Sequence, residues 1–498
     1  MKLIKSLTVA LLAAASVGTA SAAAPTIIHV AGSTAFRTGT SIAIIDTLAG
    51  TTPAGGAGST PVFAAYSDTS VAGAKEQIFA NGHIDGTAPA ATIIIEATWT
   101  GSLAGVVDLV AGTSTAAFID ETNATVQSAV TSGSVNLSTY LGGTNLNSTT
   151  LTHSTNQTVE MAMSDSVKTT IQKELANANQ TGTIGAFAPS STGTAAPLAT
   201  ACGGSTVIDA GTSGFAGGAG VVAIVPFEWV LGNTTGATGF TAPTSISQQQ
   251  ARSLLSSGYV PQALFTGGNT TADTTNYFYL EGRNEDSGTR IDSFSESQLG
   301  VTASPFQYQV GNDSTTLSPA LLYPAGSALN TEPLISWPSA GHSGYASGGN
   351  VAAVLKLANT GSVTFSSGKA PSNSGKSFFI GYLGLTDANG AIGAGATALS
   401  YNGVPYSAQN VENGSYTLWG YEHCYRLTSH NGDVFGNTID AIADNIFFND
   451  ADVIYNSNGA FHAENSDGSY QSGSAGLFQD GFINVSRSTT EGGVVTHQ

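Results

Sequence analysis

The most chemically pointed stretch of this sequence is Arg283-Asn284-Glu285-Asp286-Ser287-Gly288-Thr289. It sets one guanidinium four residues ahead of a Ser-Gly-Thr triplet. A guanidinium is a fixed positive charge with a planar fork of donors, suited to a tetrahedral oxyanion. Ser287, Gly288 and Thr289 at a helix start would add hydroxyls and backbone N–H groups that the helix leaves unsatisfied, at the positive end of its dipole. Three further turns share this character: Gly32-Ser33-Thr34-Ala35-Phe36-Arg37, Gly101-Ser102 followed by Gly105, and Ser164-Asp165-Ser166-Val167-Lys168. Each places small hydroxyl residues or glycine where a helix should begin, with Thr34, Ala35 and Ser102 as the candidate donors. One such turn is an ordinary cap. Four of them, one flanked by two arginines, point to anion binding.

The elements needed to hold these turns are legible around them. Apolar runs at Thr26–Val30, Thr92–Ala97, Val159–Met163 and Tyr277–Glu281 each lead into one of the turns. Helical periodicity follows, to about Leu48, from Leu103, through Leu175, and at Ile291, Phe294 and Leu299. Strands alternating with helices predict an α/β architecture with mixed, mostly parallel sheets. In such sheets ligands sit beyond the carboxyl ends of the strands.

Plainer readings stand beside these. Arg283 would serve equally as a surface arginine paired with Glu285 or Asp286. Asp165 would serve as the cap of a helix beginning at Ser166, stabilising it by about 1 kcal/mol. Arg37 and Arg290 either face the site or balance acidic neighbours.

As a set and in order, the four turns resemble those of the phosphate-binding proteins of phosphate ABC importers, a family of type II periplasmic solute-binding proteins. Gly32 to Phe36 resembles the family's first anion loop, Gly101-Ser102 its second, Ser164-Asp165 its Ser-Asp pair, and Arg283 to Thr289 its most specific motif. Ser343–Asn350, Phe379–Gly384 and Val404–Leu418 resemble its late segments, so the similarity spans roughly Thr26 to Arg426 in patches. The resemblance implies two lobes: 24–220 with 378–498, and 221–377, with crossover strands near 221–229 and 378–383. It implies a ligand set of Thr34, Ala35, Ser102, Asp165, Arg283, Ser287, Gly288 and Thr289. It also implies a phosphate ligand and an ABC permease partner in the inner membrane. A carboxylate beside an anion is costly unless the anion brings a proton to share, as hydrogen phosphate does at neutral pH and sulfate does not. With Asp165 where the resemblance puts it, phosphate is favoured over sulfate, and arsenate is a close mimic.

The N-terminus predicts export. Lys2 and Lys5, an apolar Leu7–Ala15 and Ala20-Ser21-Ala22 form a 1–22 signal peptide, with no cysteine after it for a lipid anchor and no later apolar run long enough to span a bilayer. A periplasmic or secreted protein is expected. Removing both lysines takes the net charge from -19 to -21, a surface that repels nucleic acid. Cys202 and Cys424 lie far apart in sequence and lack CxxC spacing. In an oxidising compartment they would form a disulfide or stand as two buried thiols. Long Gly/Ser/Thr-rich stretches at 51–60, 113–156 and 182–212, and the segment after Arg426, read as insertions on this plan.

No catalytic apparatus or cofactor site is legible. Ser374-Gly375-Lys376-Ser377 lacks the first glycine of a P-loop. Gly341-His342-Ser343-Gly344 lacks the closing glycine of a nucleophile elbow. The eight histidines form no metal motif. The expected function is capture of phosphate between two lobes. The alternatives are another tetrahedral oxyanion, a phosphorylated compound, or an extracellular phosphatase or surface protein reusing the fold.

Overall fold

The computed structural model describes residues 24–497 apart from 51–61, 68–75, 113, 115, 133–142, 147–150, 177–194, 213–219, 304–306, 313–316, 323–343, 364–374, 448–484 and 488–490. The expected leader therefore lies outside the described residues. Three apolar strands, β1 (Thr26–Gly32), β2 (Ile93–Thr98) and β3 (Met161–Ser164), are buried on both faces. Near-continuous apolar runs are what strands covered on both sides require. Each leads into a helix: α1 (Arg37–Gly50), α2 (Ser102–Ala111) and α3 (Lys168–Leu175). Farther along come β4 (Val221–Leu231), β5 (Tyr277–Glu281), α4 (Gly288–Glu296), β6 (Tyr308–Asn312), α5 (Gly348–Lys356), β7 (Ser377–Gly384), α6 (Leu385–Ile392), β8 (Thr397–Tyr401) and β9 (Trp419–Leu427).

The architecture is mixed α/β, and one strand order occurs twice. The first half runs β2-β1-β3-β9-β4 and the second β6-β5-β7-β4-β8. In both, the first three strands are parallel and the last two pairings antiparallel. Parallel pairing is thus concentrated in the strands that carry the turns. Antiparallel pairings are the more numerous among the described strands.

Strand β4 belongs to both halves. Val221 to Pro226 pair with β9, and Phe227 to Leu231 pair with β7. The change of partner falls at Pro226, which has no N–H to give a ladder. Chain return to the first half falls at β9 rather than at the expected 378–383. Strand β7, which contains that stretch, is paired on both edges within the second half, to β5 and to the far end of β4. A buried parallel strand and a crossing strand have the same apolar sequence, so the run alone did not distinguish them. The largest buried apolar cluster includes Ile28 and Ile95 from one half and Phe278 and Phe378 from the other.

The cysteines are not bonded to each other. Both are buried and free, and they sit in different core clusters. The Cys202 thiol donates to the carbonyl of Val106 at 3.8 Å, and burial raises both thiols above their ordinary range. Of the two expectations, the pair of buried thiols is the one present.

Gly32, where β1 turns towards α1, has a φ of +134°, and a Cβ there would lie 2.0 Å from the carbonyl oxygen of Met163 on β3. Neither partner can yield, because both are backbone of adjacent paired strands. Gly32→Ala is expected to lower stability by about 3 kcal/mol or more, from strain and overlap together. A thermal melt of the variant checks this, and an unchanged midpoint refutes it.

Candidate functional site

The four turns meet at the carboxyl ends of β1, β2, β3 and β5. Backbone bonds draw them together: Gly101 N–H donates to Gly32 O at 2.8 Å, Ser33 N–H to Met163 O at 2.9 Å, and Leu103 N–H to Asp286 O at 2.9 Å. The last of these joins the two halves. Gly101 makes it feasible, since a Cβ there would stand 2.4 Å from Asp286 O. Thr34, Ser102, Asp165, Arg283, Ser287 and Thr289 are all buried, and Ala35 is half-buried.

Arg283 is the centre of positive charge. Its side chain is 2 % exposed, so it is not the surface arginine of the plainer reading. Nη1 donates to Thr34 Oγ1 at 3.1 Å across the halves, Nε to Tyr345 O at 3.1 Å and Nη2 to Ala346 O at 2.9 Å. Its own N–H donates to Tyr382 Oη at 3.0 Å. A guanidinium held by this many acceptors has one orientation, which is what a preset oxyanion clamp needs. Burial lowers its pKa, opposed by the nearby carboxylates Asp387 and Asp165.

Asp165 is the centre of negative charge. It does not cap a helix: α3 starts at Lys168, and its cap residue, Val167, offers no side-chain bond. One carboxylate oxygen accepts from Ser102 Oγ and the other from Thr289 Oγ1, the latter at 3.2 Å across the halves. Burial raises the Asp165 pKa, countered first by the Ser102 hydrogen bond and then by Arg283.

Gly288 opens α4 directly against this carboxylate. A Cβ there would lie 1.7 Å from Asp165 Oδ1 and 2.7 Å from Ser102 Oγ, so only glycine permits the approach. Ser287 caps α4, accepting from Arg290 N–H at 3.3 Å. The N–H groups of Gly288 and Thr289 lie in the first turn, where a helix supplies no carbonyl for them. Arg290 donates to Arg283 O at 3.2 Å and lies 4.9 Å from the Phe294 ring.

The sequence reading missed one cross-half pair. Arg37, in the first turn of α1, reaches Asp387 on α6 at 3.3 Å and also donates to Thr34 O at 2.7 Å, with both side chains buried. Asp387 also lies against the start of α5, where a Cβ on Gly348 would be 2.3 Å from its Oδ2. The available signal was a fifth strand-to-helix turn, Gly384-Leu385-Thr386-Asp387, after an apolar run. Chemically the arrangement centres on the buried guanidinium of Arg283 and the buried carboxyl group of Asp165, with the hydroxyls of Thr34, Ser102 and Thr289 and four helix-start turns brought together from both halves. Among the described residues no group of three or more His, Cys, Asp or Glu could hold a metal ion, and no helix is long and apolar enough to cross a membrane.

No family model matches the chain, and no curated protein matches it. Three solved structures are similar in part. One, described as a phosphate ABC transporter substrate-binding protein from Clostridium perfringens with bound phosphate, is 11% identical with a TM-score of 0.36, covering 85% of this chain and 97% of that one. An ABC-type phosphate transport receptor from Vibrio cholerae is 12% identical with a TM-score of 0.33, covering 84% and 94%. PstS from Borrelia burgdorferi is 10% identical with a TM-score of 0.30, covering 84% and 92%. The chain is similar to these proteins over most of its length at low identity, and its chemistry stands on its own site residues.

Proposed function

We propose that this chain is an exported solute-binding protein that captures hydrogen phosphate between two lobes and presents it to an ABC permease. The observation that carries the reading is the convergence, from both halves, of four helix-start turns on buried Arg283 and Asp165. The lobes are the two halves of the sheet, joined where β4 leaves the first and β9 re-enters it. Hydroxyls of Thr34, Ser102 and Thr289, with N–H groups of Ala35, Gly288 and Thr289, donate to the anion, and Ser287 holds the α4 start in place. Arg283 supplies the balancing charge. Asp165 accepts the proton that hydrogen phosphate carries. Ser102 and Thr289, now donating to Asp165, turn to the anion when it enters. Each hydrogen bond to a charged group contributes about 1.5–3 kcal/mol, so few are needed. Phosphate stabilises the closed arrangement because its donors lie on both lobes.

Calorimetric titration of the protein with phosphate, sulfate and arsenate tests the reading. Heat is expected from phosphate and arsenate and far less from sulfate. Silence with all three overturns the proposal, and equal response to sulfate removes the role given to Asp165.

A further inference from the structure

After Arg426 the chain returns once more to the site region. Its last described residues form a hairpin of β10 (Val485–Arg487) and β11 (Val495–His497), paired from Val485↔His497 to Arg487↔Val495. Val485 is buried in the cluster that runs through both halves. From this anchor the hairpin reaches α3, which follows Asp165, and α4, which opens at Gly288.

Glu491 reaches the first half. Its carboxylate accepts from Val167 N–H and from Thr170 Oγ1, both at 2.5 Å. The start of α3 has no side-chain cap of its own. A residue 324 positions away thus caps the helix that begins just after Asp165. A helix N-terminus favours a carboxylate for the same reason it favours any anion. Arg487 and Gly492 reach the second half. Arg487 Nη1 bonds Glu296 Oε2, at the end of α4, at 3.1 Å. The same nitrogen donates to Gly493 O at 2.8 Å, closing the hairpin on itself. At Gly492, with φ of +65°, a Cβ would stand 2.5 Å from the Ser295 carbonyl carbon, so the turn lies hard against α4. Arg487 is also fixed to β9 and the residues just before it, donating to Thr417 O, taking Tyr421 Oη as acceptor of its N–H at 3.0 Å and lying 4.3 Å from the Trp419 ring.

We propose that the C-terminal hairpin is a strap that ties α3 of the first half to α4 of the second, so that Glu491 and Arg487 are positioning residues that slow release of the bound anion. The proposal rests on the anion site described above. Asp165 stands three residues before α3 and Gly288 opens α4, so opening the cleft between those groups must pull the two helices apart. That separation breaks either the Glu491 cap or the Arg487–Glu296 pair. Among the described residues the strap touches no proposed ligand, so it acts on the rate of opening more than on encounter.

The test compares wild type with Glu491→Ala and Arg487→Leu in two measurements. Phosphate release, followed by rapid mixing with a phosphate trap, is expected to be about tenfold faster in each variant, with association changed less than about twofold. Distances between spin labels at Lys173→Cys and Ser256→Cys, measured without ligand, are expected to lengthen or broaden in the variants. Release and distances both equal to wild type overturn the strap. Where Glu491→Ala fails to fold, Thr170→Val removes one arm of the cap at nearly constant shape and carries the same expectations. Wild type that binds no phosphate overturns the anion reading, while the label distances still decide the strap.

Discussion

Arg283→Met is expected to abolish phosphate binding and to lower the melting temperature at once. The side chain is long enough to fill the space, so the loss comes from charge and hydrogen bonds rather than from a cavity. Three acceptors, Thr34 Oγ1, Tyr345 O and Ala346 O, lose their donor in a buried setting. Asp165 and Asp387 lose the charge that opposes their mutual burial. Removing one partner of a buried charged arrangement costs about 3–5 kcal/mol. The same magnitude applied to the anion, at about 1.4 kcal/mol per decade, corresponds to roughly a thousandfold loss of affinity. Arg283→Lys is expected to recover little, because a single ammonium cannot reach acceptors on both the Thr34 and the Tyr345–Ala346 sides with fixed geometry. Calorimetry and a thermal melt read the two effects separately. Phosphate affinity within twofold of wild type in Arg283→Met would sink the site.

Much of this site was legible because its information is local. The run Tyr277–Glu281 is a strand with those bounds, and Arg283 to Ser287 stands between it and α4, which opens at Gly288-Thr289. The same holds for the turns after β1 and β2, where glycine and hydroxyl residues announce helix starts. What the sequence obscured was always a matter of long-range pairing. Ser377–Gly384 and Trp419–Leu427 both read as apolar strands, and only their partners show that the second carries the chain back. Asp165 carried two readings because capping and anion contact call for the same residue type at the same place; its bonds to Ser102 and Thr289, and the start of α3 at Lys168, remove the capping reading. Arg37 and Asp387 are 350 positions apart, and no local pattern joins them. The hairpin after a long stretch of polar residues gave no signal, since a two-arm strap needs only a buried valine and two well-placed charges.

Asp165→Asn is expected to leave phosphate bound but to erase much of its advantage over sulfate. The ionised carboxylate accepts the proton of hydrogen phosphate and faces sulfate acceptor to acceptor, whereas an amide in its place donates to either anion. Sites that leave a buried polar group unpaired reject an analogue by about 10⁴-fold or more, so the phosphate-to-sulfate ratio should fall at least about a hundredfold in the variant. Acid should produce the same change in wild type. Burial raises the Asp165 pKa, so on lowering pH this group protonates before an ordinary aspartate does. Once protonated it donates to sulfate, and discrimination falls. The linkage to stability has the matching sign. Below the unfolded pKa Asp165 is neutral in both states and carries no cost; as pH rises from the unfolded to the raised folded pKa, the unfolded state ionises while the folded state keeps its proton, so stability falls, and the full cost stands above the folded pKa. Asp165→Asn removes that cost, so the ligand-free variant should melt no lower than wild type at neutral pH. Titrations with phosphate and sulfate at two pH values, one acidic and one mildly alkaline, with melts of both proteins, read all three effects. A ratio that stays constant across pH and across the substitution would show that selectivity against sulfate arises from another group.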